Sequence, residues 1–357
     1  MTARPARPFR RGSAPAAAAA SVADPPSSAI ASIGVDEPIA SADVDLLDRS
    51  AFVRSIAASI EMRPQGGVAY AIAGPPGSGK SSVLRLIAAQ LGQTLTVINF
   101  NPWYFSGSGD LIGHFLRELA SEMSSNKDKR LQSISEHLRS YSALIEPLGL
   151  LPFVGGFARA GQQAIGLGAA TAEYSKRFKE SGILLQRQEL HAALHEFDVR
   201  IVVVIDDVDR LTDQEITDVA RLVRLVGHLP RINYLLAFDR ERVESALAGG
   251  REPAWGREYL AKVVQSLRDL PEPLPEALGH VFDHALVSLA PTLVDGITDA
   301  ANWNSVRADV VTPFLRTPRD AVRLALDVSV GLETAGADDD FADVLAAEAR
   351  RLLTPTG

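Results

Sequence analysis

The sequence contains no cysteine, which excludes disulfide bonds and any metal site built on thiolate ligands. This absence is typical of a reducing compartment, and we expect a cytoplasmic location. Lysine is scarce, with six residues against 30 arginines, and acidic residues outnumber basic ones to give a net charge of −8. That charge argues against a broad nucleic-acid-binding surface, and no sequence-specific nucleic-acid binding is indicated. Even the most apolar stretch lacks a clean run of about 18 apolar residues, so an ordinary transmembrane helix is not expected.

The 357 residues are enough for one large α/β domain and a smaller one. Residues 1–40 are rich in alanine, proline and arginine and bury too little apolar surface to fold, which predicts a disordered tail. A targeting signal is the alternative there, but the alanine run has no leucine or valine to form its apolar core. Residues 41–272 carry the predicted α/β domain, and the mostly helical pattern of 273–357 predicts a C-terminal helical subdomain.

Five apolar, β-branched runs alternate with helical stretches, at 68–73, 94–100, 201–205, 232–238 and 262–267. Alternation of strands and helices predicts a mostly parallel five-stranded sheet with helices on its faces. The run at 201–205, I-V-V-V-I, has no polar residue, which is typical of a strand buried on both sides.

The most informative stretch follows the first predicted strand and fills every position of the motif G-x-x-x-x-G-K-[ST]. In this motif, backbone N–H groups and the N-terminus of the following helix face an anion. Lys80 is predicted to neutralise phosphate charge and the Ser81 hydroxyl to bind Mg²⁺. The predicted nucleotide-binding residues are Gly74, Pro75, Pro76, Gly77, Ser78, Gly79, Lys80, Ser81 and Ser82.

A phosphate loop needs a carboxylate at the end of a neighbouring strand to hold the metal ion. Asp206 and Asp207 follow the buried run 201–205 directly, and Asp209 comes two residues later. We predict that Asp206 belongs to the metal shell and that Asp207 orients or deprotonates the attacking water. Three carboxylates so close together repel one another, and a divalent cation relieves that repulsion.

The interval between the two motifs is long for a minimal nucleotide-binding core, which predicts a helical insertion at about 125–195. Within it, residues 144–172 are apolar and glycine-rich but are interrupted by Glu146, Arg159 and two glutamines. A buried or interfacial helical hairpin is one interpretation of this segment. A hairpin that inserts into or touches a membrane is the other.

Together these motifs resemble the KAP family of P-loop NTPases, within the broader STAND/AAA-like group, over about residues 45–330. The resemblance is carried by N-F-N-P-W-Y-F at 99–105, by V-I-D-D-V-D-R at 204–210 and by Y-L-L-A-F-D-R at 234–240. It implies an ATPase with an insertion between its nucleotide motifs that often carries transmembrane helices, at the inner face of the membrane. It favours ATP over GTP, since no guanine-specific motif is present.

The same resemblance implies roles for three further residues. Asp239 ends the fourth strand, where related ATPases place a polar residue that senses the γ-phosphate. Arg240 is implied to stabilise transition-state charge, either in its own chain or in a neighbouring copy of a homo-oligomer, with an ordinary surface arginine as the competing interpretation. Arg319 is implied to reach the γ-phosphate from the helical subdomain, with helix capping by Thr317 and Asp320 as the competing interpretation.

The sequence therefore predicts a Mg²⁺-dependent ATPase that acts as a conformational switch, with ATP and Mg²⁺ as cofactors. Catalysis is assigned to Lys80, Asp207, Arg240 and Arg319, and metal binding to Ser81 and Asp206. Family resemblance connects such switches with bacterial signalling and phage defence. One alternative is a nucleotide-binding scaffold with little turnover, because an aspartate stands at 207 where many relatives have glutamate. The other is a small-molecule kinase.

Overall fold

A computed structural model of the chain describes residues 45–63, 65–145, 185, 188–196, 199–226, 229–290, 307–334, 345 and 347–351. The tail predicted at 1–40 and nearly all of the segment 144–172 lie outside the described residues. Their predicted structures, and the domain boundaries drawn through them, stay predictions.

The core of the fold is a five-stranded sheet in which each neighbouring pair of strands is parallel. The spatial order is β2-β3-β4-β1-β5. The strands are β1 (Ala69–Ala73), β2 (Thr96–Phe100), β3 (Ile201–Ile205), β4 (Ile232–Phe238) and β5 (Ser266–Asp269). The predicted fold class is confirmed. The fifth strand was expected at 262–267, and this boundary is wrong, because the preceding helix continues through Val263.

Helices flank the sheet along the chain. They are α1 (Ser50–Glu61), α2 (Lys80–Leu91), α3 (Leu111–Ser125), α4 (Lys129–Ile145), α5 (188–196), α6 (Asp213–Val226), α7 (Arg240–Ala248), α8 (Pro253–Val263), α9 (Pro275–Leu289) and α10 (Pro318–Thr334). Of these, α4 and α5 lie in the region predicted as the insertion, and α9 and α10 lie in the region predicted as the helical subdomain.

The two faces of the sheet carry separate apolar cores. Strand side chains alternate between the faces, so Val203 packs with the layer that includes α3 and α6, while Val202 and Val204 pack with α1 and α2. This two-sided burial is why the run in β3 contains only apolar residues. A third cluster, which includes Leu278 of α9 and Leu324 of α10, forms the core of the helical subdomain.

The carboxyl ends of the strands lie along one edge of the sheet. In the strand register, Phe100 pairs with Ile205, Ile205 with Leu236, and Ala73 with both Phe238 and Asp269. Residues that follow these strands therefore converge although they are far apart in sequence. In open parallel sheets this edge is where ligands bind.

Candidate functional site

The loop from Gly74 to Gly79 connects β1 to α2 at this edge, as the sequence predicted. Gly77 and Gly79 have φ angles of +79° and +90°, a conformation that residues with a Cβ rarely adopt. Helix α2 begins at Lys80, so its N-terminal N–H groups face the loop, with Ser81 and Ser82 in the first turn. The strand, loop and helix thus form the backbone cradle that an anion requires.

Ser78 contributes a further polar group to this loop. Its hydroxyl is buried and has no hydrogen-bond partner in the described part of the chain. Buried polar groups normally have partners, and a bound phosphate would supply an acceptor for this one. The geometry of the loop therefore fits a phosphate group.

Lys80 is held by three acceptors. Its Nζ donates to the carbonyl oxygens of Gly74 and Pro75, at 3.0 and 3.3 Å, and lies 3.2 Å from Asp209 Oδ2. Only 10% of the lysine side chain is exposed, so its charge needs these partners. Asp209 was noted in the sequence only as part of the acidic cluster, and the structure identifies it as the counterion of Lys80.

Asp206 lies next to Ser81, although the two residues are 125 positions apart in sequence. Burial raises the pKa of Asp206, and repulsion from Asp207 and Asp209 adds to this, whereas hydrogen bonds from the Ser81 hydroxyl and from the Asp207 N–H oppose it. Asp206 thus lies beside the Ser81 hydroxyl and close to two other carboxylates, an arrangement of oxygen donors and negative charge that a divalent cation would stabilise. The two predicted metal ligands are therefore in contact.

Within the described residues, no group of three or more His, Asp or Glu side chains forms a ready-made metal cage. Mg²⁺ at phosphate sites is usually held by one or two protein ligands together with substrate phosphates and water. The pair formed by Ser81 and Asp206 fits that donor set.

Asp207 adopts a left-handed backbone conformation, with φ at +57°, at the turn after β3. Its Oδ2 accepts a hydrogen bond of 3.0 Å from Asn101 Nδ2, and its Oδ1 lies 2.8 Å from Arg210 Nε. Asn101 had been noticed only as part of a family-like segment. The sequence contains a partial signal, because Asn101 follows β2 as Asp206 follows β3, but the two ends meet only because β2 and β3 are neighbours in the sheet.

The end of β4 places Asp239 beside the loop, since Gly74 N donates to Phe238 O at 3.2 Å. The Asp239 side chain caps α7 by accepting a 2.9 Å bond from Arg242 N. Arg240 forms an ion pair of 2.9 Å with Asp269 at the end of β5. Both residues lie at the edge that carries the site, and their predicted roles toward phosphate stay predictions.

The helical subdomain touches the phosphate loop directly. Arg319, in the first turn of α10, donates its backbone N–H to Gly77 O at 3.4 Å. A Cβ added to Gly77 would lie 2.8 Å from Arg319 Cβ and 3.1 Å from Thr317 Oγ1. The structure therefore places Arg319 at the loop, and Thr317 and Asp320 also exchange the hydrogen bonds of a helix cap. The helix cap is therefore present, and the implied reach of Arg319 to the γ-phosphate stays a prediction.

Glu215 of α6 holds the loop that follows β2. Its carboxylate accepts from Gly107 N at 2.7 Å, from the Ser106 hydroxyl and from Thr212. Burial acts to raise the pKa of Glu215, but these hydrogen bonds outweigh it and the pKa lies below its ordinary value. The sequence identifies Glu215 only as an acidic residue in the helix that follows the segment 204–210, and no pattern in it predicts this contact.

Comparison with known proteins gives a family match. The sequence matches the KAP family P-loop domain over residues 49–335. It is also 26% identical over 272 residues to the Phage T7 exclusion protein of Escherichia coli, a match that covers 70% of this chain. The matched region spans 36% of that relative's length.

Solved structures with a similar arrangement include the Aeropyrum pernix ORC2 protein, at 12% identity and a TM-score of 0.43, covering 85% of this chain and 68% of that one. A Thermotoga maritima RuvB variant matches at 14% identity and a TM-score of 0.40, covering 87% of this chain and 71% of that one.

Among the helices of the described ranges, none is both long enough and apolar enough to cross a membrane.

Proposed function

Because this chain belongs to the KAP family of P-loop domains, whose fold implies nucleotide binding, we propose that it is an ATPase. We propose further that this ATPase uses Mg²⁺ and acts as a conformational switch. One observation carries the proposal. The Ser81 hydroxyl bonds the Asp206 carboxyl at the end of the phosphate loop, where Lys80 also lies. Two parts of the chain that are remote in sequence thereby assemble the ligands that a nucleotide–metal complex needs.

The proposed role of each residue follows from its position in the site. The loop amides and Lys80 would hold the β- and γ-phosphates, while Ser81 and Asp206 would hold Mg²⁺. When bound, the metal ion would neutralise charge at the phosphate oxygens. Asp207 lies one residue past the metal ligand, and its carboxylate is oriented by Asn101 and Arg210. We propose that this carboxylate positions the water that attacks the γ-phosphate.

A switch requires that nucleotide binding at the loop change the conformation of another part of the protein. The hydrogen bond between Gly77 O and Arg319 N supports such coupling, because a shift of the loop at Gly77 would alter a contact with the first turn of α10. We propose a role in phage defence, supported by the similarity to an exclusion protein. Contact with the inner membrane face through 144–172 and assembly into a homo-oligomer are further parts of this proposal.

The first experiment measures ATP binding and phosphate release for the wild type and three variants. We expect Lys80→Ala to abolish binding, because the buried cation that meets the phosphates is gone. We expect Asp207→Asn to bind ATP normally but to release phosphate at least tenfold more slowly, on the order of the loss expected for a water-positioning group. Asp218→Asn, which changes a half-buried carboxylate on α6 that pairs with Arg221, is the matched control.

The outcomes separate the three hypotheses. Unchanged phosphate release in Asp207→Asn, with binding lost in Lys80→Ala, would favour the scaffold. A phosphorylated small molecule without free phosphate would favour the kinase. Membrane fractionation with and without residues 144–172 tests the membrane contact, and equal distribution of the two proteins in the soluble fraction would refute it.

A further inference from the structure

Arg49 lies at the start of α1 and its guanidinium points into the protein. The residue is only 4% exposed. Its Nη1 donates to Ser78 O at 2.7 Å, and its Nη2 lies 3.4 Å from Pro271 O. A guanidinium buried against two backbone carbonyls is costly to desolvate, and its hydrogen bonds must be made if the fold is to tolerate it.

The phosphate loop has a glycine where the Arg49 guanidinium packs against it. A Cβ added to Gly79 would lie 2.7 Å from Arg49 Nη1, so any side chain at 79 would displace the guanidinium. Gly79 thus meets two requirements, a φ of +90° and a close approach by Arg49. The backbone of Arg49 is anchored in turn, because its N–H donates to Asp45 Oδ2 at 2.7 Å and the same carboxylate accepts from Leu47 and Ser50.

The contact with Ser78 O has a direct consequence for the next amide. In a planar trans peptide, the C=O and N–H groups point in opposite directions. By holding the Ser78 carbonyl toward itself, Arg49 directs the Gly79 N–H away from itself. We propose that Arg49 is a positioning residue that fixes the Ser78–Gly79 peptide so that the Gly79 N–H donates to phosphate. The proposal rests on nucleotide binding at this loop.

The alternative is that Arg49 only joins α1 to the rest of the fold, through Pro271 as well as Ser78. The two roles differ in what a substitution changes. A purely structural role lowers stability without a specific effect on the loop. A positioning role weakens phosphate binding and loosens the loop amides while the sheet stays intact.

The test compares Arg49→Lys with Arg200→Lys. Lysine keeps the charge and most of the stem but lacks the fork that reaches both carbonyls. Arg200 also donates to a backbone carbonyl, that of Glu61, and serves as the matched control away from the loop. Binding of a fluorescent ATP analogue is measured, with Lys80→Ala as the non-binding reference. Hydrogen exchange is measured without nucleotide on peptides covering 74–82 and 201–205.

We expect Arg49→Lys to weaken binding by ~10–100-fold, the ratio for losing one hydrogen bond that involves a charged group. Exchange should accelerate in 74–82 and stay unchanged in 201–205, and Arg200→Lys should match the wild type in both assays. If exchange in 201–205 shows that Arg49→Lys is globally unfolded, Asp45→Ala replaces it, since this removes the cap that holds the Arg49 backbone and leaves the guanidinium in place. It should then give a smaller change in the same direction.

Binding within twofold of wild type, together with unchanged exchange in 74–82, would overturn the positioning role. A wild-type protein that binds no better than Lys80→Ala would instead refute the proposed function. In that case the exchange measurement still decides whether Arg49 orders the loop.

Discussion

Replacing Gly77 with alanine tests whether the helical subdomain rests on the phosphate loop. Two costs arise at this position. The φ of +79° penalises a residue with a Cβ by about 1–2 kcal/mol. The new Cβ would also lie 2.8 Å from Arg319 Cβ, an overlap that typically costs about 1–3 kcal/mol when packed groups must move.

Gly107 provides a matched control that isolates the second cost. Its φ is +80°, and a Cβ added there would meet nothing within 4 Å. The gain from a stiffer unfolded chain is common to both substitutions and cancels in the comparison. We therefore expect Gly107→Ala to lose about 1–2 kcal/mol from backbone strain alone and Gly77→Ala to lose about 1–3 kcal/mol more.

Urea unfolding gives the free energies, and hydrogen exchange locates the change. In Gly77→Ala, we expect faster exchange in the first turn of α10, at 318–323, which should stay unchanged in Gly107→Ala. Equal losses of stability in the two variants, with no change in α10, would refute the contact between the loop and the subdomain. The coupling route of the proposed switch would then be lost.

Two further predictions concern pH. The pKa of Asp206 is raised in the folded protein, mainly by burial, so the stability it contributes is full below its unfolded pKa of about 3.9 and is lost as pH rises through the folded value. Near neutral pH and without metal, Asp206→Asn should therefore melt higher than wild type while Asp218→Asn does not, and a lower melting temperature would contradict this. The pKa of Glu215 is lowered, so its contribution is present above the unfolded pKa and is lost as pH falls through the folded value. Hydrogen exchange at 106–109 should be slower in the wild type than in Glu215→Gln near neutral pH, and equal in the two proteins at low pH. No difference near neutral pH would show that Glu215 does not hold this loop.

Much of the fold could be predicted because local patterns encode it. The motif at Gly74–Ser81 specifies a turn that only glycine-rich sequence can make, and the apolar run of β3 specifies burial on both faces. Helix and strand alternation then leads to a parallel sheet. The fifth strand was misplaced because the short segment 262–267 contains the end of α8, and its apolar residues suit a buried helix end as well as a strand.

The contacts of the site could be predicted only in part. The meeting of Ser81 with Asp206 follows from the motifs themselves. The pairing of Asn101 with Asp207 depends on β2 and β3 being neighbours in the sheet, and no local pattern fixes strand order. The ion pair between Lys80 and Asp209 depends on the turn after β3. In that turn Asp207 adopts a left-handed conformation, which no local sequence pattern specifies.

By itself, the sequence determined which residues are chemically able to bind phosphate and metal, since side-chain chemistry and glycine spacing are local properties. The tertiary structure decided which residues from other parts of the chain contact the phosphate loop. Arg49 reaches Ser78 from before α1, and Arg319 reaches Gly77 from the far end of the chain. Such contacts depend on how helices and strands pack over long sequence separations, and the apolar pattern that drives packing specifies buried faces but not the partners that meet across them.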